Sequence, residues 1–358
     1  MRRSFVLLVA AAFAIGSAAA VVVLRQEAPR REASLLDQPV FPDLAERLAT
    51  VATVELRRHN EVATLRREGD TWTVAEKHGY PAVPSRVREL LVGLAELRLV
   101  EERTANTELF SRLGLEDPQT PGGTSVSITV KDGAGNAIAS LIVGRRRVRT
   151  AANLPEAVHV RRPGELRAWL AEGALRPDTD PLLWLERDII DIKRDRVARA
   201  TTRRAGAAPV TVRRDSPGEE FTLIDAAEGF VADRIRLDDL PSVLEFLSFS
   251  DVKPAQALAD APTAGEARIE TFDGLSVTIR LLAHAEALWA KIAVAWAPPD
   301  APVGAESAQA PLRPEALRAE AEALAARLGV WAFRLPDWKS EVLTYRLEDI
   351  AARQESPS

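Results

Sequence analysis

A few short motifs recur in the same order along this chain, and that repetition limits the folds open to it. Arg57-Arg58 has a counterpart in Arg203-Arg204, and Leu65-Arg66-Arg67 in Val212-Arg213-Arg214. Trp72-Thr73-Val74 matches Phe221-Thr222-Leu223, and the stripe Leu90, Leu94, Leu97, Leu99 matches Leu240, Leu244, Leu247, Phe249. The separation drifts only from 146 to 150 residues, as small loop insertions would produce. One such match is ordinary in a chain rich in Leu and Arg. Four in order, on matching element types, predict an internal duplication, and copies of about 140 residues are domains rather than solenoid repeats. The predicted layout is a first module over residues 40–176, a connector over 177–195 and a second module over 196–352.

Within the first copy, residues 54–58, 62–67 and 71–75 read as strands, separated by His59-Asn60 and Gly69-Asp70. Val87, Leu90, Leu91, Leu94 and Leu97 recur at three and four, which predicts a helix with Ser85 as its N-cap. Val126, Ile128 and Val130 alternate with polar residues, and a turn through Asp132-Gly133 leads into an apolar strand over 137–143. A further strand is expected at 158–160 and a short helix at 165–172, with Leu166, Trp169 and Leu170 on one face. In the second copy, strands at 268–272 and 275–281 stand where 125–143 stood, followed by a strand over 288–296. A flexible Ala/Pro-rich insertion at 297–314 comes next, then a helix over 315–328, a strand over 330–335 and an amphipathic segment over 338–352. Residues 353–358 read as a disordered tail. Short strands joined by hairpins, with one helix per several strands, predict an α+β fold: two duplicated modules of antiparallel sheet with covering helices, plus one N-terminal transmembrane helix.

That last element is the run from Phe5 to Leu24, which carries no charge and is bounded by Arg2-Arg3 and Arg25. As a helix it would reach about 30 Å, one bilayer core. Two readings stay open. Residues 1–24 form an uncleaved signal anchor, or a signal peptide cleaved near Ser17-Ala18-Ala19-Ala20. The continuation through Val21-Val22-Val23-Leu24 favours the anchor. Residues 25–39, polar and Pro-containing, read as a juxtamembrane linker. Basic residues flank the run on both sides, so the short N-terminus decides the expected orientation. The chain is then single-pass in the cytoplasmic membrane, with its body in the periplasm or extracytoplasmic space.

The net charge of −5 gives no global attraction to nucleic acid. With no cysteine, disulfides, thiolate metal sites and a Cys nucleophile are excluded. Only six of the 47 basic residues are lysine, so Arg clusters reflect composition here and carry less weight than usual. His59, His78, His159 and His284 lack any metal-site spacing and read as surface or strand residues. Asp178 and Asp180 read as an interdomain turn between prolines rather than a cation site. Asp188, Asp191 and Asp195 lie at helical spacing near Glu186, and interleaved basic residues make them a solvated face. Gly133-Ala134-Gly135 is a hairpin turn, and the basic run Arg145-Arg146-Arg147-Val148-Arg149 is a solvated loop. The tryptophans are expected in the core, with Trp331 or Trp338 open to a protein or carbohydrate groove. No catalytic, cofactor-binding or metal residue is assigned.

Several stretches together resemble the bacterial family known as domain of unknown function 4340. They are Trp72-Thr73-Val74 leading to Tyr80-Pro81-Ala82, the leucine helix, and Leu113-Gly114-Leu115-Glu116-Asp117-Pro118 before an alternating strand. Val160-Arg161-Arg162-Pro163-Gly164, Pro181-Leu182-Leu183-Trp184-Leu185-Glu186-Arg187 and Trp331-Ala332-Phe333-Arg334-Leu335-Pro336 complete the set. The chain departs from the pattern at Gln119 to Gly123 and at 297–314, both expected to be surface loops. The resemblance implies a membrane-attached extracytoplasmic protein associated with ABC-type transport systems like those of gliding motility, and it supplies no catalytic residues. The expectation is a binding or scaffolding subunit, anchored through Phe5 to Leu24, with an ABC permease and ATPase as partners and no nucleic acid. An envelope hydrolase acting on glycan or peptide, and a passive cell-wall glycan binder, are the alternatives.

Overall fold

The structure, a computed structural model, describes residues 36–147, 155–224, 226–298 and 313–352. The run from Phe5 to Leu24, most of the 25–39 linker, Val148 and Arg149, most of the 297–314 insertion and the 353–358 tail lie outside the described residues. The chain divides into two compact units, Met1–Leu185 and Glu186–Ser358.

The first unit is built on one antiparallel sheet. Its strands are β1 (Val51–Arg58), β2 (Glu61–Glu68), β3 (Thr71–Val74), β4 (Tyr80–Pro81), β5 (Arg98–Thr104), β6 (Val126–Asp132), β7 (Ala137–Arg147), β8 (Ala157–Arg161) and β9 (Ala168–Glu172). Their order in space is β4-β3-β2-β1-β6-β7-β8-β9-β5. Alternation puts Val54, Leu56, Leu65, Ile128, Val130 and Leu141 inside, all essentially inaccessible. Helix α1 (Pro84–Glu96) adds Val87, Leu90, Leu91 and Leu94 to that core.

The second unit opens with β10 (Asp188–Ile190). It continues through β11 (Val197–Arg204), β12 (Val210–Arg213), β13 (Thr222–Ile224), helix α2 (Arg234–Asp239), β14 (Leu247–Ser248) and β15 (Asp251–Pro254). Strands β16 (Thr263–Thr271), β17 (Leu275–His284) and β18 (Ala287–Trp296) follow, then helix α3 (Pro314–Leu328), β19 (Trp331–Arg334), α4 (Asp337–Val342) and α5 (Leu347–Ile350). The main sheet runs β13-β12-β11-β16-β17-β18-β19-β15. Apart from β4, this is the first unit's order strand for strand.

Smaller features correspond as well. A 3-10 turn precedes each first strand, at Leu48–Thr50 and at Arg194–Arg196. Each first strand carries a register shift two residues in, between Val51 and Thr53 and between Val197 and Arg199. Ahead of the helix, Val83 N–H donates to Trp184 O in one unit and Asp233 N–H to Ile350 O in the other, both at 2.8 Å. Isolated bridges Ala82↔Leu185 and Ala232↔Ala351 close the two units in the same way. The chief difference follows β8 and its counterpart β18. The first unit turns directly from β8 to β9, while the second passes through α3 before reaching β19.

Three local expectations are corrected. Residues 165–172 form no helix. They enter β9, whose Ala168, Trp169, Leu170 and Ala171 are all buried, so the burial alternation that marks a strand is missing. Ser85 does not cap α1, because Val83 holds that position and Pro84 takes the first turn, where its missing N–H costs nothing. The second stripe is not helical throughout. Leu240, Leu244, Leu247 and Phe249 are fully buried, but α2 ends at Asp239, turns run over 240–246 and Leu247 opens β14. Within 177–195 the division between the units falls after Leu185; Thr179 bonds Glu61 and Trp184 is buried in the first unit, while Ile189, Ile190 and Ile192 are buried in the second.

Gly144 in β7 shows how tightly one loop is seated. A Cβ there would stand 2.3 Å from Leu113 O and 2.7 Å from Gly114 O. Gly144→Ala is expected to destabilise the first unit by about 2 kcal/mol, since packed backbone cannot give way cheaply. Urea unfolding followed by hydrogen exchange on first-unit peptides measures it.

Candidate functional site

The polar groups flagged in the sequence serve turns and strands. His59 Nδ1 lies 3.0 Å from Gln119 O, and His159 Nδ1 2.9 Å from Arg145 O. Asp178 accepts from Asp180 N–H and Asp180 from Leu182 N–H, which makes a pair of Asx turns. Asp188, Asp191 and Asp195 do not share a helix face, because Asp188 opens β10 and Asp195 lies in the 3-10 turn before β11; all three are exposed. Arg145, Arg146 and Arg147 finish β7 instead of forming a loop, with Arg146 opposite Val158. Among the described residues no group of three or more His, Asp or Glu is placed to hold a metal ion.

Three basic side chains have left water for the fold's own carbonyls. In the first unit, Arg161 donates through Nε and Nη2 to Leu115 O at 3.3 and 3.2 Å and lies 4.8 Å from the Phe110 ring centroid. Burial lowers its pKa, opposed by the charge of Asp117. It walls a cleft of about 420 Å³ with Asp117, Glu165 and Leu166. In the second unit, Arg214 donates to Val197 O, Arg194 O and Glu219 O, with Phe221 and Phe272 stacked on it. Lys339 of α4 is 4% exposed, and its Nζ donates to Val243 O at 2.6 Å and Glu245 O at 2.8 Å. Burial pushes its pKa down to about 8, against the opposing charges of Glu245 and Asp191.

Lys339 anchors the turn that carries the most exposed aromatic side chain among the described residues. Phe246 is 74% exposed and adopts φ +48°, a left-handed conformation that costs a bulky residue about 1–2 kcal/mol. Three groups hold it there. Asp191 Oδ1 accepts the Phe246 N–H at 3.0 Å, Lys193 Nζ sits 3.7 Å from the ring, and Lys339 clasps the preceding carbonyl. The Phe246 N–H bond, with Lys193 next, lowers the Asp191 pKa. Trp338 is 60% exposed, and its ring lies 4.6 Å from the same Lys339 Nζ. Trp338 was legible in the sequence as an open tryptophan, whereas Trp331 is half-buried in β19. Phe246 and Lys339 were not singled out. The signal in the sequence is the recurring pattern, in which Glu96 stands at the position corresponding to Phe246.

Two sheet-rich antiparallel units with helices on them define an α+β protein whose corresponding elements recur in one order. Residues 72–265 match the family described as Domain of unknown function (DUF4340), and the chain belongs to that family. The match runs from β3 of the first unit to β16 of the second. No curated protein and no solved structure matches the chain.

Proposed function

We propose that this chain is a membrane-anchored, extracytoplasmic binding and scaffolding protein, an accessory subunit of an ABC-type envelope transport system. The carrying observation is where large apolar side chains meet solvent. Val231, Ile235, Phe246, Val330, Trp338 and Leu347 are all exposed on the second unit, against Leu36, Leu166 and Leu183 on the first. Exposed apolar surface of that kind marks interaction sites. The uncharged run from Phe5 to Leu24 supplies the anchor in this reading, and the family resemblance supplies the transport association.

The two units are, in the same reading, copies of one module that have diverged. Their shared strand order, shared bulge and shared closing bridges support it. Ile235 corresponds to Ser85 and Val231 to Pro81, so the second copy has gained apolar surface where the first stays polar or compact. Two modules on one tether raise each other's effective concentration at a membrane partner. Purification of the full chain in mild detergent after crosslinking is expected to retain a permease and an ATPase. Recovery of the chain alone under those conditions would overturn the proposal.

A further inference from the structure

The patch around Phe246 departs from what the fold itself requires. The first unit builds the corresponding position with Glu96, exposed at the end of α1, and without an aromatic. In the second unit a carboxylate and two lysines, Asp191, Lys193 and Lys339, fix Phe246 in a left-handed conformation with its ring outward. The exposed Trp338 ring lies 4.6 Å from the same Lys339 ammonium. Arginine clusters in this chain reflect its composition, but lysines are scarce, and two of the six are here.

We infer that Phe246 and Trp338 form a bilayer-interface contact, seated in the headgroup region of the membrane that anchors the chain. This rests on the reading of Phe5 to Leu24 as an anchor. Three observations select a lipid surface as the occupant. Both rings project into solvent, Phe246 74% and Trp338 60% exposed, so the patch offers protruding apolar surface. Tryptophan and phenylalanine are side chains that partition into the interface, with an apolar body and tolerance of nearby charge. The apolar run lies on the same chain, so a bilayer is held at high local concentration around both units. Asp191 and Lys193 pair at 2.9 Å and cancel in charge, and the Lys339 ammonium is turned away from solvent onto two carbonyls. The contact is therefore aromatic partition rather than attraction to anionic lipid, and it is equal in zwitterionic and anionic bilayers.

The absence of cysteine makes the test clean. Phe246→Cys, Trp338→Cys and, as a control on the exposed loop after β11, Ala208→Cys are each labelled with an environment-sensitive nitrobenzoxadiazole dye. The full chain is reconstituted into phosphatidylcholine vesicles, with and without phosphatidylglycerol. The dye at 246 and 338 is expected to emit blue-shifted and to be quenched by nitroxide-bearing lipid, equally in both vesicles, while the dye at 208 stays in water. All three substituted side chains are exposed, so the core is untouched, and circular dichroism checks it. If alkaline carbonate leaves the chain in the vesicles yet the dyes at 246 and 338 report water, the contact is overturned and the anchor stands. If carbonate releases the chain, both fall. A blue shift that appears only on adding a soluble protein or cell-wall glycan overturns the lipid assignment.

Discussion

Arg214→Met is expected to lower the stability of the second unit by about 3 kcal/mol, while Arg67→Met costs the first unit less than about 1 kcal/mol. The two residues correspond in sequence: Arg67 is the penultimate residue of β2 and Arg214 follows β12, and each reaches back to the 3-10 turn before the neighbouring strand. Arg67 is exposed and donates to Gly69 O at 3.2 Å and Ala49 O at 3.0 Å, bonds that water replaces when the side chain is lost. The Arg214 side chain is 0% exposed. Its Nε reaches Val197 O at 2.9 Å and its Nη2 reaches Arg194 O at 2.7 Å, between rings that exclude solvent. Methionine fills much of the volume but takes the Arg214 donors from Val197 O and from Arg194 O, which keeps only the Val197 N–H, and a buried acceptor left short of a partner costs about 1–3 kcal/mol. Arg214→Lys is expected to restore less than half the loss, because one ammonium cannot span the fork of carbonyls. Hydrogen exchange resolved by peptide separates the two units during urea unfolding. Equal losses at positions 67 and 214 would show that burial is not the cause.

The same pair explains what was legible in the sequence. Arg66-Arg67 and Arg213-Arg214 could be aligned as motifs, yet only Phe221 and Phe272 stacking on Arg214 decides that one copy is buried. Period-two patterns recovered β1, β2 and β6, whose core-facing residues alternate with more exposed ones, and an apolar run recovered β7, which buries Leu141, Ile142 and Val143 in succession. Strand β5 escaped notice because Arg98, Glu101, Glu102 and Arg103 load it with charge, as an edge strand tolerates. The stripe at 240–249 was read correctly as core and wrongly as helix, since consecutive turns can bury leucines at the same spacing. Phe246, in the run Leu244-Glu245-Phe246-Leu247, looks like one more core residue. Its left-handed backbone turns it outward, and that conformation is set by Asp191 and Lys339, distant in sequence.

Lys339→Met is expected to make the second unit less stable by an amount that grows with pH. At about pH 7 the loss comes from Val243 O and Glu245 O, two acceptors left without their donor, at about 2 kcal/mol together. The lysine of the folded unit releases its proton near 8, whereas in the unfolded chain it holds the proton to about 10.5. Between those values the unfolded state binds more protons, so native stability rises with pH. The contribution is complete above the unfolded value and is lost as pH falls through the folded one. From about pH 7 to about pH 10 the wild-type chain should gain about 2–3 kcal/mol that the Met variant lacks. The clasp survives deprotonation, because a neutral amine retains two N–H donors for its two carbonyls. Tyr345, raised to about 12 chiefly by burial, acts in the opposite sense at high pH but is common to both chains and drops out of the difference. Urea titrations of the two proteins across this range read that difference directly. A gap that stays constant with pH would mean that Lys339 titrates like a lysine in water, and that α4 does not hold the Phe246 turn through a desolvated ammonium.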